Sequence, residues 1–327
     1  MDYPPSLLLG FIHHATFPRT FPNHAARDIS GWIAQVDGPV EKPMNEGQFL
    51  GTLCHPLEPS QRGHVDPSSQ VFIGEALRIV DEGKKRNITF RVMGALAVRI
   101  HCLELAEFHK GLKRLGNSGH EFTDIDVMSL NKYRNQMKPF FRSINYVPDK
   151  SEYIVHMWAL RHIYHEPRNQ LHVDVFFDKL DMSHVVDFRN VLEIDHPTIP
   201  LAELLLEKLQ IVHINEKDIK DSIALLRGHS LGENDKETIN LERISRLLSE
   251  DWGFWYTVTM NLGKIRSFAT DYCKQKLISE SDLKDILTKT DQMSQKIESS
   301  PKSMKWKLRA RVGTQRKWYK DVEDIQY

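Results

Sequence analysis

The chain is poor in cysteine, with three in 327 residues. Cys54, Cys102 and Cys273 lie far apart and form no Cys-x-x-Cys pair. Their spacing excludes a zinc knuckle and a disulfide framework and points to a reducing compartment. Each is expected to serve as a small buried hydrophobe. Net charge is also lacking: 44 basic side chains balance 44 acidic ones, which excludes a globally basic nucleic-acid binder but leaves room for a local patch. No apolar run approaches the roughly 18–20 residues that span a bilayer. The early SLLLGFI follows an acid and two prolines with no basic leader, a poor signal peptide. A soluble, cytoplasmic protein without membrane contact is therefore expected. Gly-x-Ser-x-Gly, a full P-loop and an internal repeat are absent too. HIYHE (162–166) lacks the order of a zinc protease motif, so His162 and His165 read as core or surface residues. His13 and His14 read as a chance pair.

Texture divides the chain. Residues 1–70 are rich in Pro, Gly, His and Ser and have little periodicity, as in an irregular or flexible arm. From Val71 the pattern sharpens. VFIGEALRIVDEGKKR puts Phe72, Ala76, Leu77 and Val80 on one helical face. EFTDIDVMSL reads as a strand, LNKYRNQMKPFFRSINYV as a helix that breaks, and YIVHMWALRHIYHE with NQLHVDVFFDKLD as a strand pair. IPLAELLLEKLQIVHINEKDIKDSIALLRGH is strongly helical, with Pro200 suited to a first turn. The chain stays mostly helical after Glu237. The expected organisation is an arm (1–70), an α/β core (71–230) and a helical module with a basic tail (231–327).

Two acids interrupt an apolar strand: Asp124 and Asp126 in EFTDIDVMSL. Residues two apart on a strand share a face, roughly 6–7 Å apart. Two bare carboxylates there repel each other, and one holds its proton more tightly. A divalent cation removes the conflict, and oxygen ligands suit Mg²⁺ or Mn²⁺. Asp174 in HVDVFF is a third acid in a strand. If its strand lies beside that of Asp124, three carboxylates could hold two metals, which clamp the oxygens of a phosphoryl displacement. An isolated Asp-x-Asp is usually a solvated strand end. Upstream, however, Gly94 and Ala95 in RVMGALAV stand where a strand meets a helix start, and small residues there let backbone N–H groups approach a phosphate.

These residues resemble a known family. MGALAVR (93–99), FTDIDVM (122–128), HVDVFF (172–177) and PLAELLLEKLQIVHINEKDIKDSIALL (200–226) follow the order seen in DNA polymerase β-like nucleotidyltransferases, in particular the AbiEii/AbiGii toxin-type group. The resemblance covers about 71–230. It implies a polymerase β-like α/β (α+β) core, a mixed sheet flanked by helices and followed by a helical C-terminal module. It also implies transfer of an NMP from an NTP (ATP or GTP) to a hydroxyl acceptor with Mg²⁺ or Mn²⁺. Asp124 and Asp126 match the metal-binding pair, and Asp174 matches the third carboxylate, which ligates metal and activates the acceptor. Gly94 matches the phosphate-cradling glycine. Ala95 stands where the superfamily has Ser or Gly. Lys208 matches a helical lysine within reach of a phosphate, and Lys217, Asp218 and Asp221 match a downstream basic-acidic signature. Asp218 and Asp221, three apart, are expected to face the cleft. A solvated lysine and a helix-start cluster are the plainer readings of Lys208, Lys217 and Asp218; Asp178 and Asp181 read as loop acids.

DWGFWYTVTMNL (251–262) reads as core at helical spacing. The tail PKSMKWKLRARVGTQRKWYK interleaves eight basic residues between Lys302 and Lys320 with Trp306, Trp318 and Tyr319. It reads equally as a solvated basic face or as a seat for tRNA or other RNA. A non-catalytic nucleotide- or RNA-binding protein of this fold, and a toxin-like protein paired with a small antitoxin-like partner, are the rival functions.

Overall fold

The register of two strands decides where the acids sit. β2 (Ile125–Ser129) buries Ile125, Val127, Met128 and Ser129 and leaves Asp126 half-buried. β5 (Leu171–Phe177) is buried at all positions except His172, the signature of a central strand covered on both faces. The two pair in parallel, with Asp126 directly opposite Asp174. β1 (Phe90–Val92) flanks β2 antiparallel, and β4 (Arg161–Glu166) flanks β5 antiparallel. β3 (Val147–Pro148) pairs with β4, giving a five-stranded mixed sheet of order β1-β2-β5-β4-β3. This is the computed structural model; it describes residues 69–115, 121–149 and 161–322, all within one compact unit. The readings made for the arm at 1–68, including Cys54, His13 and His14, and for the strand segment at 153–160 lie outside the described residues.

Helices cover the sheet. α1 (Ser69–Lys85) turns Phe72, Ile73, Ala76, Leu77, Ile79 and Val80 inward, as its spacing predicts. Its Gly83 abuts Phe90 so closely that a Cβ would stand 2.4 Å from the ring. α2 (Gly94–His101) springs directly from β1, and the short α3 (Ala106–Gly111) follows it. α4 (Arg134–Ser143) follows β2 and lays Met137, Phe140 and Phe141 into the core, where Phe141 stacks on Tyr164 with ring centres 4.1 Å apart. Below the sheet, β6 (Lys179–Asp181) and β7 (Val185–Asp187) form a small antiparallel pair.

α5 (Leu201–Leu209) is buried on every side, including Glu203, Glu207 and Lys208. A helix enclosed in this way can keep charged residues only if they are paired. α6 (Glu216–Gly228) is capped by Asn215, whose side chain accepts from the Asp218 N–H at 2.9 Å. Beyond it lie β8 (Ser230–Gly232), β9 (Thr238–Asn240), α7 (Leu241–Glu250), α8 (Trp252–Lys274), α9 (Glu280–Ser299) and α10 (Met304–Val312). α8 buries Trp252, Phe254, Thr257, Val258, Asn261 and Leu262, so this aromatic-rich run is core, as its spacing indicates. Cys102 is buried; Cys273 is only half-buried on α8, short of the burial expected for each cysteine. Among the described residues no helix is long and apolar enough to cross a membrane.

Candidate active site

Asp124 immediately precedes β2, Asp126 lies within it, and Asp174 faces Asp126 from β5. The sequence-predicted trio therefore gathers at one place on the sheet. The local electrostatics carry the mark of that crowding. The Asp126 carboxyl is pushed well above the usual carboxylate range by burial, then by Asp124, Asp174 and Glu207; Lys208 offsets part of the effect.

α2 begins against this carboxylate. Gly94 has φ +67°, and a Cβ on it would stand 2.6 Å from Asp126 Oδ2. Only glycine satisfies both constraints. The Met93 N–H donates to the Asp126 carbonyl at 2.9 Å, which ties the start of the helix to β2. The N-cap residue, Met93, makes no side-chain cap; the Gly94 N–H instead supports the Glu207 carboxylate, and the positive end of the helix dipole lies beside the carboxylate site. Ala95 is half-buried on that first turn.

Asp174 is already engaged. Its Oδ2 lies 2.5 Å from Nη1 of Arg161, the first residue of β4, and both side chains are largely buried. The Arg161 guanidinium also lies 5.6 Å from the centre of the Phe176 ring. Among the described residues, no three His, Cys, Asp or Glu side chains form a ready-made ligand group around one point. The donor chemistry nonetheless suits a hard divalent cation: carboxylate oxygens close enough that burial and their mutual repulsion disfavour the charge on Asp126. Asp124, Asp126 and Asp174 are the residues that fit such an ion.

Behind the trio lies a second cluster that the sequence reading captured only in part. The Lys208 ammonium sits 3.1 Å from Asp218, 3.2 Å from Asp221 and 3.5 Å from Glu207. Burial alone would lower its pKa, but these three carboxylates outweigh it and hold the pKa above the ordinary value. Asp221 is fully buried and receives Arg114 Nε at 3.0 Å. Burial opposes its charge, yet Arg114, Lys208 and His109 keep its pKa far below the usual range. His109 lies between Asp221 (3.5 Å) and Glu121 (3.7 Å), and Arg99 stands 3.8 Å from Glu121. Ser69 also hydrogen-bonds Glu121.

The structure thus places Lys208 inside an ion-pair network, where the sequence suggested a phosphate contact. Asp221 faces the same network instead of an open cleft. Lys217 is exposed on the first turn of α6. Glu207 is buried, and burial pushes its pKa up to about 7 despite Lys208 and the Gly94 N–H, which favour its charge.

No protein-family model matches the chain, and no curated protein matches it. Two solved structures align with it at low similarity. One is the solution structure of the antibiotic-resistance factor ANT(2'')-Ia, 13% identical, covering 55% of this chain and 94% of that one at a TM-score of 0.31. The other is the crystal structure of an antigenic nucleotidyltransferase-like protein from Paracoccidioides brasiliensis, 12% identical, covering 67% of this chain and 94% of that one at a TM-score of 0.37. At these scores the likeness carries no functional weight, and the reading of the site rests on its geometry.

Sequence reasoning missed Arg161, Glu207 and Arg114. The only sequence signal for Arg161 was its place at the head of RHIYHE, one residue before the histidines that drew notice. Those histidines proved ordinary. His162 is buried against Phe177 with ring centres 4.8 Å apart, and burial and Arg134 push its pKa down to about 4. His165 faces His172 across the strand pair. Asp178, just before β6, accepts from the Asn131 N–H as a loop acid does; Asp181, read as a loop acid, ends strand β6 instead and pairs with Lys320.

Proposed function

We propose that the chain is a metal-dependent nucleotidyltransferase that moves an NMP from an NTP to a hydroxyl acceptor. The observation that carries this reading is the arrangement of Asp126 and Asp174 in register on adjacent parallel strands, beside a glycine-headed helix. Asp124 and Asp126 would hold Mg²⁺ or Mn²⁺, with Asp174 completing the set. Such an ion supplies positive charge to the triphosphate and the departing pyrophosphate. The Gly94–Ala95 backbone cradles the phosphates, with the Ala95 N–H donating to a phosphate oxygen and the Gly94 N–H, directed to Glu207, having to exchange that partner to do the same. The acceptor oxygen bonds to the α-phosphorus, the bond to pyrophosphate breaks, and the hydroxyl proton passes to Asp174. Positioning and electrostatics dominate such phosphoryl chemistry, so the protein forms no covalent bond of its own.

An RNA acceptor, such as tRNA, is the reading for the tail, and the structure narrows its basis. Trp306 packs edge-on against Trp255, and Trp318 packs against Tyr256 and donates to Thr257 Oγ1 at 3.1 Å. Arg309 lies over the Trp252 ring. The rings fold onto α8, which leaves exposed Lys305, Lys307, Arg311 and Arg316 to meet phosphates.

A second reading, a non-catalytic nucleotide- or RNA-binding protein of the same fold, is favoured by the Arg161–Asp174 pair and by Ala95. One assay separates the two readings: transfer of label from each α-labelled NTP, with Mg²⁺ and Mn²⁺, onto total tRNA, protein extract and the protein itself. Transfer abolished in Asp124→Ala/Asp126→Ala supports the enzyme. Metal-dependent NTP binding without transfer supports the binding protein. Transfer to tRNA that survives neutralisation of the four exposed basic residues removes the tail from the reading.

A further inference from the structure

Arg161 takes no part in the transfer chemistry of the carboxylate trio, yet its guanidinium is the nearest described cation to the third carboxylate. The pair is short, at 2.5 Å, and largely enclosed, with the two side chains 12% and 3% exposed. Arg161 and Asp174 stand on neighbouring antiparallel strands, Arg161 opposite Phe176 and Ile163 opposite Asp174. The two charged residues therefore point to one face of the sheet, the face shared with Asp126. A guanidinium cannot give up its proton in a protein, so this positive charge is permanent.

We propose that Arg161 stands in for a second metal ion, so that the site takes one divalent cation and not two. The inference rests on the metal-dependent reading above and deepens it. Within ion-pair distance among the described residues, three carboxylates against one guanidinium leave two negative charges, which one divalent cation cancels; Arg114 and Lys208 act on Asp124 and Asp126 only from farther off. A second divalent ion would need Asp174 Oδ2, already facing Arg161, and would have to sit beside a fixed positive charge in a partly enclosed site, where charges are poorly screened. Glu207 belongs to the neighbouring network, buried 3.5 Å from Lys208 with the Gly94 N–H directed to it, and is left out of this count. Arg161 is thus a positioning residue: it orients Asp174 and sets the charge that the site offers to cations.

The test counts ions, with Mn²⁺ alone as the probe, in the full-length protein by calorimetry and by electron paramagnetic resonance of free Mn²⁺. Wild type is expected to bind one Mn²⁺ at this site. Arg161→Met is expected to bind the first ion more tightly, by on the order of tenfold, and to take up a second. Arg161→Lys keeps the charge and is expected to hold one ion. Asp174→Asn releases Arg161 from its partner and leaves one net negative charge, so its Mn²⁺ affinity is expected to fall by on the order of tenfold or more. Because that variant is read independently, a poorly folded Arg161→Met does not protect the idea.

Two ions in wild type would overturn the proposal. So would identical titrations of wild type and Arg161→Met, or wild-type affinity in Asp174→Asn. These failures are distinct from failure of the underlying reading. One ion, lost in Asp126→Asn but indifferent to Arg161, rejects only the role of Arg161. No Mn²⁺ bound at all rejects the metal site itself, and this inference with it.

Discussion

Two clusters of charge lie side by side in this molecule, and they are resolved in opposite ways. In the network behind the sheet, Glu121, Asp218 and Asp221 meet Arg99, Arg114, His109 and Lys208, so each acid has a basic neighbour within about 4 Å. At the sheet, Asp124, Asp126 and Asp174 have one described guanidinium within ion-pair distance, Arg161 on Asp174, and the Asp126 carboxyl is pushed well above the usual carboxylate range. Asp174 and Asp221 are both buried, so burial alone does not separate the clusters. Neutralisation does. A balanced buried cluster is complete within the fold, whereas an unbalanced one is stable only by holding protons or by binding a cation. The same residue type thus serves as framework at Asp221 and as ligand candidate at Asp126.

Removing an acid from each cluster gives the sharpest test of that contrast. Asp221→Asn takes the negative charge from between Arg114, Lys208 and His109 and leaves buried positive charges facing one another. It is expected to destabilise the protein by about 3–5 kcal/mol, the scale for breaking a buried pair from one side. Urea denaturation followed by circular dichroism measures it. If Asp221→Asn were as stable as wild type, the network would not be a closed framework.

The next effect is on pH dependence. Glu207 and Glu203 both have carboxyls pushed up to about 7 by burial, against Lys208 and the Gly94 N–H for the first and Arg243 for the second. Their folded-state pKa lies above the unfolded value, so the protonated form is the one that favours folding. That contribution is complete below about pH 4 and is lost as pH rises through 7. The metal-free protein should therefore lose stability between pH 6 and pH 8, by up to roughly 1–2 kcal/mol per group over that window. Glu203→Gln, remote from the carboxylate trio, should flatten the slope by its own share. A melting temperature that climbs over this range would contradict the assignment.

How much of this was legible in the sequence differs between the clusters in the same way. The mixed α/β core follows from local pattern: period-two strands, a Gly-small helix start and amphipathic helices; the acids within apolar runs marked Asp126 and Asp174 as candidates, but their pairing came from strand register, which the sequence left conditional. The ion-pair network was not legible, because its members come from α2, α3, the segment around Glu121, α5 and α6. Nothing in the sequence near Lys208 says whether its ammonium points to solvent or to Asp221, a choice made by the full enclosure of α5. Arg161 was missed for a related reason. Its partner is assigned by strand register, and a one-residue slip would have turned it to the opposite face. The aromatic tail was legible as composition, but its docking onto α8 was not.

The smallest expected effect is also the one most specific to the unbalanced cluster. Asp126→Asn keeps the shape of the side chain and removes one of three crowded like charges. At pH 8, without divalent ions, the variant should be no less stable than wild type and more stable by up to about 1 kcal/mol, the scale of one screened like-charge contact. With Mn²⁺ added the order should reverse: wild type should gain melting temperature from ion binding, and Asp126→Asn should not. Differential scanning fluorimetry with and without Mn²⁺ reads both arms. A variant destabilised in the absence of metal would mean that Asp126 belongs to the framework, as Asp221 does. Removal thus distinguishes a structural acid from a ligand acid, because losing the first weakens the fold and losing the second relieves repulsion within it.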